Sequence, residues 1–192
     1  MNTPAHLLIG AAVMGRKGSA AVVWAALIGA LLPDLSLYLL AGGAIYLFGI
    51  APPIVFNDLY FSTSWQAIFA IDNSMILWGG LLGVAIWRRS AWAIALTGAA
   101  LLHLCLDLPL HHDDGRAHFW PLTGWVFDSP VSYWDRDHGA FWVAPIEAFL
   151  ATVAAVLLWQ QRIGIGVMVL VGCLLVAELW IVRQWLFYFT DS

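Results

Sequence analysis

The stretch AWAIALTGAALLHLCLDLPLHHDD, residues 91–114, begins as an apolar helix and ends in a run of histidine and aspartate. His103 and Asp107 are four residues apart and therefore share one face of that helix. A charged side chain at the centre of a membrane helix costs about 2.5–3.5 kcal/mol, and it persists where it faces the bundle interior and has a partner. The stretch therefore predicts a helical bundle with a polar site at one end.

The composition indicates an integral membrane protein. The chain is 62% hydrophobic and 10% charged, whereas a soluble domain carries about 25% charged residues. Its twelve tryptophans are typical of a protein with membrane interfaces. Cys105 and Cys173 both lie in apolar runs, which excludes a cysteine-rich metal site and disfavours a disulfide. The net charge of −4 says little about partners, nothing in the sequence suggests a nucleic-acid surface, and the oligomeric state stays open.

Six apolar segments are candidate membrane helices, since a spanning helix needs about 20 mostly apolar residues. They are 3–15, 19–48, 63–87, 91–109, 141–160 and 164–188. The first is short enough to be a half-span or re-entrant segment, and Pro33 interrupts the second. Thr63 and Gln66 form a capping-box pattern at the start of the third. We expect an all-α polytopic transmembrane bundle of about six helices in a single domain, 1–192, with one polar loop, 110–140.

Positive charge predicts the orientation, because Lys and Arg are enriched in cytoplasmic loops. If all six segments cross the membrane, most of the basic residues fall on one side of it: Arg16, Lys17, Arg88, Arg89 and Arg162. The loop 110–140 falls on the other side, where acids outnumber arginines. We therefore expect a multi-pass protein of the inner (plasma) membrane, with this loop on the outer face. The N-terminal segment lacks a basic region before its apolar run, so we expect no cleaved signal peptide.

Polar residues of different segments project to one level of the bilayer when each residue adds about 1.5 Å along its helix. All lie in the outer half, next to the His/Asp-rich loop: His6, Asp34, Asp72, Asn73, His103, Asp107, Glu147 and Glu178. Histidine and carboxylate ligands suit Zn²⁺ or another transition metal. Pro109 loosens the turn after Asp107, and this break can direct His111 or His112 inward. The pattern predicts a divalent-metal site, with Zn²⁺ as one candidate.

Three motifs carry a resemblance to a known family. NTPAHLLIGAA (2–12), GALLPDLSLYL (29–39) and LLHLCLDLPLHHDDGRAHFWPL (101–122) together resemble the YdjM-like family of membrane-bound, predicted metal-dependent hydrolases. Sequences of this kind are sometimes labelled cobalamin-biosynthesis proteins. The resemblance implies that the metal-binding positions are His6, Asp34, His103 and Asp107.

The chain departs from the family pattern at one element. The family carries a His-Arg…Thr-His-Ser element after its Pro-Asp helix, whereas FAIDNSMILWG (69–79) stands here and contains no histidine. Either His111, His112 or Asp113 compensates for the missing ligands, or the chain has lost catalysis. Asp72 and Asn73 are more typical of polar contacts between helices.

The leading functional expectation is a metal-dependent hydrolase that acts on an ester or phosphoester of a lipid or envelope molecule. Asp34 and Asp107 are its candidate catalytic carboxylates. The alternative is a non-catalytic membrane protein, either a transporter of a metal or small solute or a scaffold. A transporter is expected to place polar residues throughout the bilayer and often to show an internal repeat. The sequence shows no such repeat, and the inner half of the bundle is almost purely apolar.

Overall fold

The computed structural model describes residues 1–190, with side chains up to residue 187. Its helices are α1 (Thr3–Met14), α2 (Ala20–Gly42), α3 (Pro52–Ile54), α4 (Thr63–Asp72), α5 (Met75–Trp87), α6 (Ala91–Asp107), α7 (Ala140–Gln160) and α8 (Ile165–Thr190). Turns of π-helix follow α2 and α3, over Gly43–Leu47 and Val55–Leu59. No strand occurs within the described residues. The expected all-α helical bundle is confirmed.

Five stretches are long and apolar enough to cross a membrane: Ala20–Leu47, Thr63–Trp87, Ala91–Leu110, Ala140–Gln160 and Ile165–Phe187. The sixth expected segment is α1, whose 12 residues reach only about 18 Å, against a hydrocarbon core of about 30 Å. Large apolar side chains cover the outside of the bundle, among them Leu39, Trp87 and Val176. The chain is thus a membrane protein with five candidate spans and one short apolar helix.

The short helix α1 lies at the centre of the bundle and packs against α2, α6, α7 and α8. Ala5, Leu8 and Ala11 are fully buried on it. A Cβ added at Gly10 would stand 2.8 Å from the Cβ of Ala30, so α2 approaches α1 closely. Small residues on α1 therefore allow four longer helices to surround it.

The backbones of α2 and α6 touch at Gly29. A Cβ there would stand 1.9 Å from the carbonyl oxygen of Leu96, a distance that no side chain can occupy. Alanines of both helices fill the surrounding interface: Ala25, Ala26, Ala30, Ala95 and Ala99. In contrast, Gly79 and Gly83, whose spacing predicts close helix packing, have open space where a Cβ would point. Within the described part of the chain, therefore, no helix packs closely at Gly79 or Gly83.

The third span is broken between α4 and α5, and part of the 110–140 loop packs into the break. The amide of Met75 donates to His118 O (2.8 Å), and Ser74 Oγ donates to Trp120 O. His118 Nδ1 in turn donates to Asn73 O (3.1 Å). These bonds use backbone groups that a break in a helix leaves free.

Two expectations about this region are wrong. The place of His118 in the polar loop predicts a solvated side chain, but His118 is buried, and burial lowers its pKa, so the imidazole is neutral. The helix cap is Ser62, whose Oγ accepts from the amide of Trp65 (3.4 Å), rather than Thr63. Gln66, the other member of the expected capping box, donates its side-chain amide to Tyr60 O (2.8 Å).

Asn73 joins α2 and the loop to the broken span, and Asn73→Ala is expected to destabilise the protein. Its Nδ2 donates to Pro33 O (3.1 Å), and its Oδ1 accepts from Arg116 Nη1 (3.0 Å). Each buried group left unsatisfied costs about 1–3 kcal/mol. Thermal unfolding of detergent-purified protein measures the loss, with the exposed Asn57→Ala as a matched control. Equal midpoints for the two variants would contradict this role of Asn73.

Candidate metal centre

Three of the predicted residues place their donor atoms together in the bundle interior. His6 Nε2 lies 2.7 Å from Asp107 Oδ1, and His103 Nε2 lies 3.2 Å from Asp107 Oδ2. The ligand atoms of His6, His103 and Asp107 all lie within 4.8 Å of one another. The two imidazole rings are stacked with their centroids 3.6 Å apart. We call these three residues the His/Asp cluster, and all three are buried.

The backbone of α2 sets the tautomer of His103. Pro33 crowds the preceding turn of α2, and the carbonyl oxygen of Ala30 lies 2.7 Å from His103 Nδ1. A carbonyl oxygen only accepts, so Nδ1 carries the hydrogen. His103 Nε2 therefore directs its lone pair, in the neutral ring, at Asp107 Oδ2 and at Asp34 Oδ1, which is 3.7 Å away.

This arrangement requires a cation. A neutral imidazole lone pair that faces two carboxylates is repelled, and His103 Nε2 has no hydrogen-bond partner among the described residues. Either a proton or a metal ion between the donor atoms removes the repulsion. Metal-binding histidines usually donate their other ring N–H to a carbonyl or carboxylate, as His103 does to Ala30. The donor set therefore fits a divalent transition metal.

His111 extends the His/Asp cluster toward the loop. Its Nε2 lies 3.3 Å from Asp107 Oδ2, and its Nδ1 lies 3.0 Å from Asp114 Oδ1. Burial lowers the pKa of His111, but Asp107 and Asp114 outweigh it, so the pKa lies above its usual 6.5. Of the two histidines after Pro109, His111 is the one that faces inward.

His112, the other predicted ligand after Pro109, lies apart from the cluster. Its Nδ1 donates to Ser129 O (2.7 Å), and its ring stacks on His138 with centroids 3.5 Å apart. It forms a separate group with Asp113 and Asp128, whose side chains are largely exposed. His112 and Asp113 therefore do not supply ligands to the His/Asp cluster.

Residues 1–3 connect the His/Asp cluster to the neighbouring carboxylates through an ion pair and hydrogen bonds. The Met1 amino group lies 2.9 Å from Asp107 Oδ1, and Thr3 Oγ1 donates to Asp34 Oδ2 (2.6 Å). Asn2 donates its backbone amide to Glu147 Oε1 and its side-chain amide to Glu178 Oε1 (3.3 Å). These contacts join polar groups from five of the six expected segments at one level of the bundle.

The spacing of Glu178 and Arg183 along α8 also permits an ion pair, but no such pair forms between these two described residues. Glu178 is fully buried beside Glu147, whereas Arg183 is exposed and stacks on Trp180 and Phe187. Glu178 thus lies inside the bundle rather than on the lipid-facing side of α8. We call the His/Asp cluster together with Asp34, Glu147 and Glu178 the polar centre.

A cleft of about 670 Å³ opens onto the polar centre. Its polar wall is formed by Asp34, Asp107, His111, Asp114 and Arg116. Residues 1–4 and Asn57 also line it, and the larger apolar and aromatic side chains of the lining are Leu37, Tyr38, Phe56, Tyr60, Phe61, Tyr133, Trp134, Ile181 and Trp185. The cleft is large enough for a small-molecule ligand. A ligand in it contacts both the carboxylates and an apolar surface.

Arg116 is a residue of the cleft wall that the sequence analysis did not single out. It belongs to the polar loop, yet it is 6% exposed and lines the cleft. Burial lowers the pKa of Arg116, but Tyr60 and Asp34 outweigh it, so the pKa lies above its usual range and the guanidinium stays charged. The signal available was its place two residues after the HHDD run, within the third motif.

The fold and the site define a polytopic membrane protein with a buried His/Asp cluster below an open cleft. No family model matches the chain, and no curated protein or solved structure matches it significantly. The geometry of the site is therefore the basis on which a function can be inferred.

Proposed function

We propose that the chain is a membrane-bound metal-dependent hydrolase that acts on an ester or phosphoester of a lipid or envelope molecule. The observation that carries the proposal is the convergence of His6, His103 and Asp107, with ligand atoms within 4.8 Å of one another. Intramembrane ionisable groups mark functional sites by default. Asp107 and His111 also line the cleft, so a substrate there reaches the cluster.

The proposed roles follow from the contacts. His6, His103 and Asp107 would hold a divalent metal, with Zn²⁺ as one candidate, and His111 is placed to complete the set. A bound metal supplies Lewis acidity, which activates water and polarises the ester. Asp34 lies beside His103 and lines the cleft, which suits it to accept the proton of the attacking water. That proton then passes to the leaving oxygen when the ester bond breaks.

The cleft is proposed to open at the outer face of the inner (plasma) membrane. The amide of Lys17 donates to Gln161 Oε1 (3.0 Å), so two of the basic loops adjoin at one end of the bundle. The His/Asp cluster lies about 20 Å from that end along α6. With the basic loops in the cytoplasm, the cluster falls in the outer half of the bilayer.

A transport path finds less support. Within residues 1–187, Thr97 is the one buried polar side chain between the cluster and the basic end, and its hydroxyl donates to Ala93 O (2.7 Å). A path for an ion or polar solute needs polar side chains that contact the solute along its whole length. The apolar inner half therefore favours a site that is open on one side.

Metal content tests the proposal. Mass spectrometry of detergent-purified protein is expected to find about one metal ion per chain. His103→Ala should lose it, whereas His112→Ala, the same change in the exposed group, should retain it. The wild-type protein should then hydrolyse a lipid carboxylic ester or a lipid phosphoester, and His103→Ala should not. Folded wild-type protein without metal would overturn the proposal and leave a scaffold as the better interpretation.

A further inference from the structure

A buried arginine forms part of the cleft wall and is held by three other residues. Arg116 Nη1 donates to Asn73 Oδ1 (3.0 Å), and Nε donates to Tyr60 Oη (3.4 Å). Its guanidinium carbon lies 4.9 Å from the ring centroid of Phe69, within the range of a cation–π contact. These contacts hold the guanidinium in one orientation and so lower the entropic cost of binding a ligand.

The charge of Arg116 is only partly balanced by the protein. The nearest carboxylate oxygen is Asp34 Oδ1, at 4.0 Å from Nη1. The hydrogen bonds use Nε and Nη1, and no described residue accepts from Nη2. A buried charge is costly unless it is paired and hydrogen-bonded. A guanidinium with spare donors at a cleft therefore indicates an anionic ligand, and its planar fork matches phosphate oxygens.

The position of the cleft favours a lipid as the source of the phosphate. Leu37 of α2 and Ile181 of α8 line it, and each lies about 25 Å along its helix from the basic end. The hydrocarbon core is about 30 Å thick, so this level is close to its outer edge, where lipid phosphates begin. Phe56, Phe61, Trp134 and Trp185 supply aromatic contacts for the apolar part of such a ligand.

We propose that the cleft binds a phosphate-bearing lipid, with its phosphate on Arg116 and its chains along the apolar wall. The proposal names the substrate class of the same site. That the lipid is hydrolysed there rests on the proposed function, whereas the binding of the lipid does not. Arg116 acts here as a binding and specificity residue. The carboxylates of the cleft wall, Asp34, Asp107 and Asp114, would repel such an anion, and Arg116 offsets that repulsion at the position where the phosphate lies.

Fluorescence titration of the wild-type protein in detergent tests the inference without any variant, since Trp134 and Trp185 line the cleft. The probes are dihexanoyl phosphatidic acid, dihexanoyl glycerol and inorganic phosphate. We expect the phosphatidic acid to bind about tenfold or more tightly than either of the others. Equal affinities for the phosphatidic acid and the glycerol lipid would overturn the role of phosphate. Inorganic phosphate that binds as tightly as the lipid would overturn the lipid assignment.

Variants of Arg116 test whether the preference for the phosphate lipid depends on its guanidinium. Arg116→Gln should weaken phosphatidic acid binding about ten- to hundredfold and leave dihexanoyl glycerol binding unchanged. Arg116→Lys keeps the charge and should recover part of the affinity. Arg183→Gln is the matched control, because Arg183 is exposed and outside the cleft lining, and it should bind like the wild type. Unchanged binding by folded Arg116→Gln would overturn the inference.

Metal analysis of the same samples separates the two proposals. Arg116→Gln should keep its metal while it loses phosphatidic acid affinity. Arg116-dependent binding in a wild-type protein that carries no metal would overturn the hydrolase proposal and support the phosphate site. A wild-type protein that carries metal but shows no preference for the phosphate lipid would overturn the phosphate site and support the metal centre of the hydrolase proposal.

Discussion

Asp107→Asn should abolish metal binding and strongly destabilise the protein. Asp107 is the one residue that the Met1 amino group, His6, His103 and His111 all approach, at 2.7–3.3 Å. Asparagine has nearly the same shape, so it leaves no cavity. It removes the negative charge that balances these groups, and breaking a buried charge pair by removal of one partner costs about 3–5 kcal/mol.

Two measurements separate the loss of metal binding from the loss of stability that follows from removal of the Asp107 charge. Metal content should fall to background in Asp107→Asn. A chelator should lower the unfolding midpoint of the wild type and leave that of the variant unchanged, because ligand binding to the native state alone stabilises it. Asp128→Asn is the matched control, since its exposed side chain lies beside His112 in the separate group. Full metal content in folded Asp107→Asn would contradict the proposed ligand set.

Gly29→Ala should separate α2 from α6 and disturb the metal centre at a distance. Its Cβ would stand 1.9 Å from Leu96 O, and backbone atoms cannot yield as a flexible side chain does. Overpacking of a core costs about 1–3 kcal/mol and occasionally more. That exceeds the 0.5–1 kcal/mol that alanine gains over glycine in a helix interior. Since His103 is bonded to Ala30, the neighbour of Gly29, metal affinity should fall together with stability.

Gly80→Ala is the matched control for this prediction. A Cβ at Gly80 meets no atom within 4 Å, so only the gain in helix propensity remains. We expect its thermal unfolding midpoint and metal content to equal or slightly exceed those of the wild type. A Gly29→Ala protein as stable as Gly80→Ala would show that the two helices do not approach as closely as described.

Much of the fold could be predicted from the sequence because helix geometry is fixed. Apolar length identifies the long helices, and a constant rise places His6, Asp34, His103 and Asp107 at one level. The fact that α1 is too short to span also follows from its length. Its place at the centre of the bundle does not, because length gives no information on neighbours.

The sequence by itself determined the class of protein and the level of the polar centre, since both depend on composition and helical rise. Only the tertiary structure decided which loop residues join that centre. His111 faces inward and His112 outward, although they are adjacent, because the chain turns after the short helical segment Leu108–Leu110. Arg116 is buried because a broken helix offers Asn73 as its partner. Such pairings join residues far apart in the sequence, and no local pattern records them.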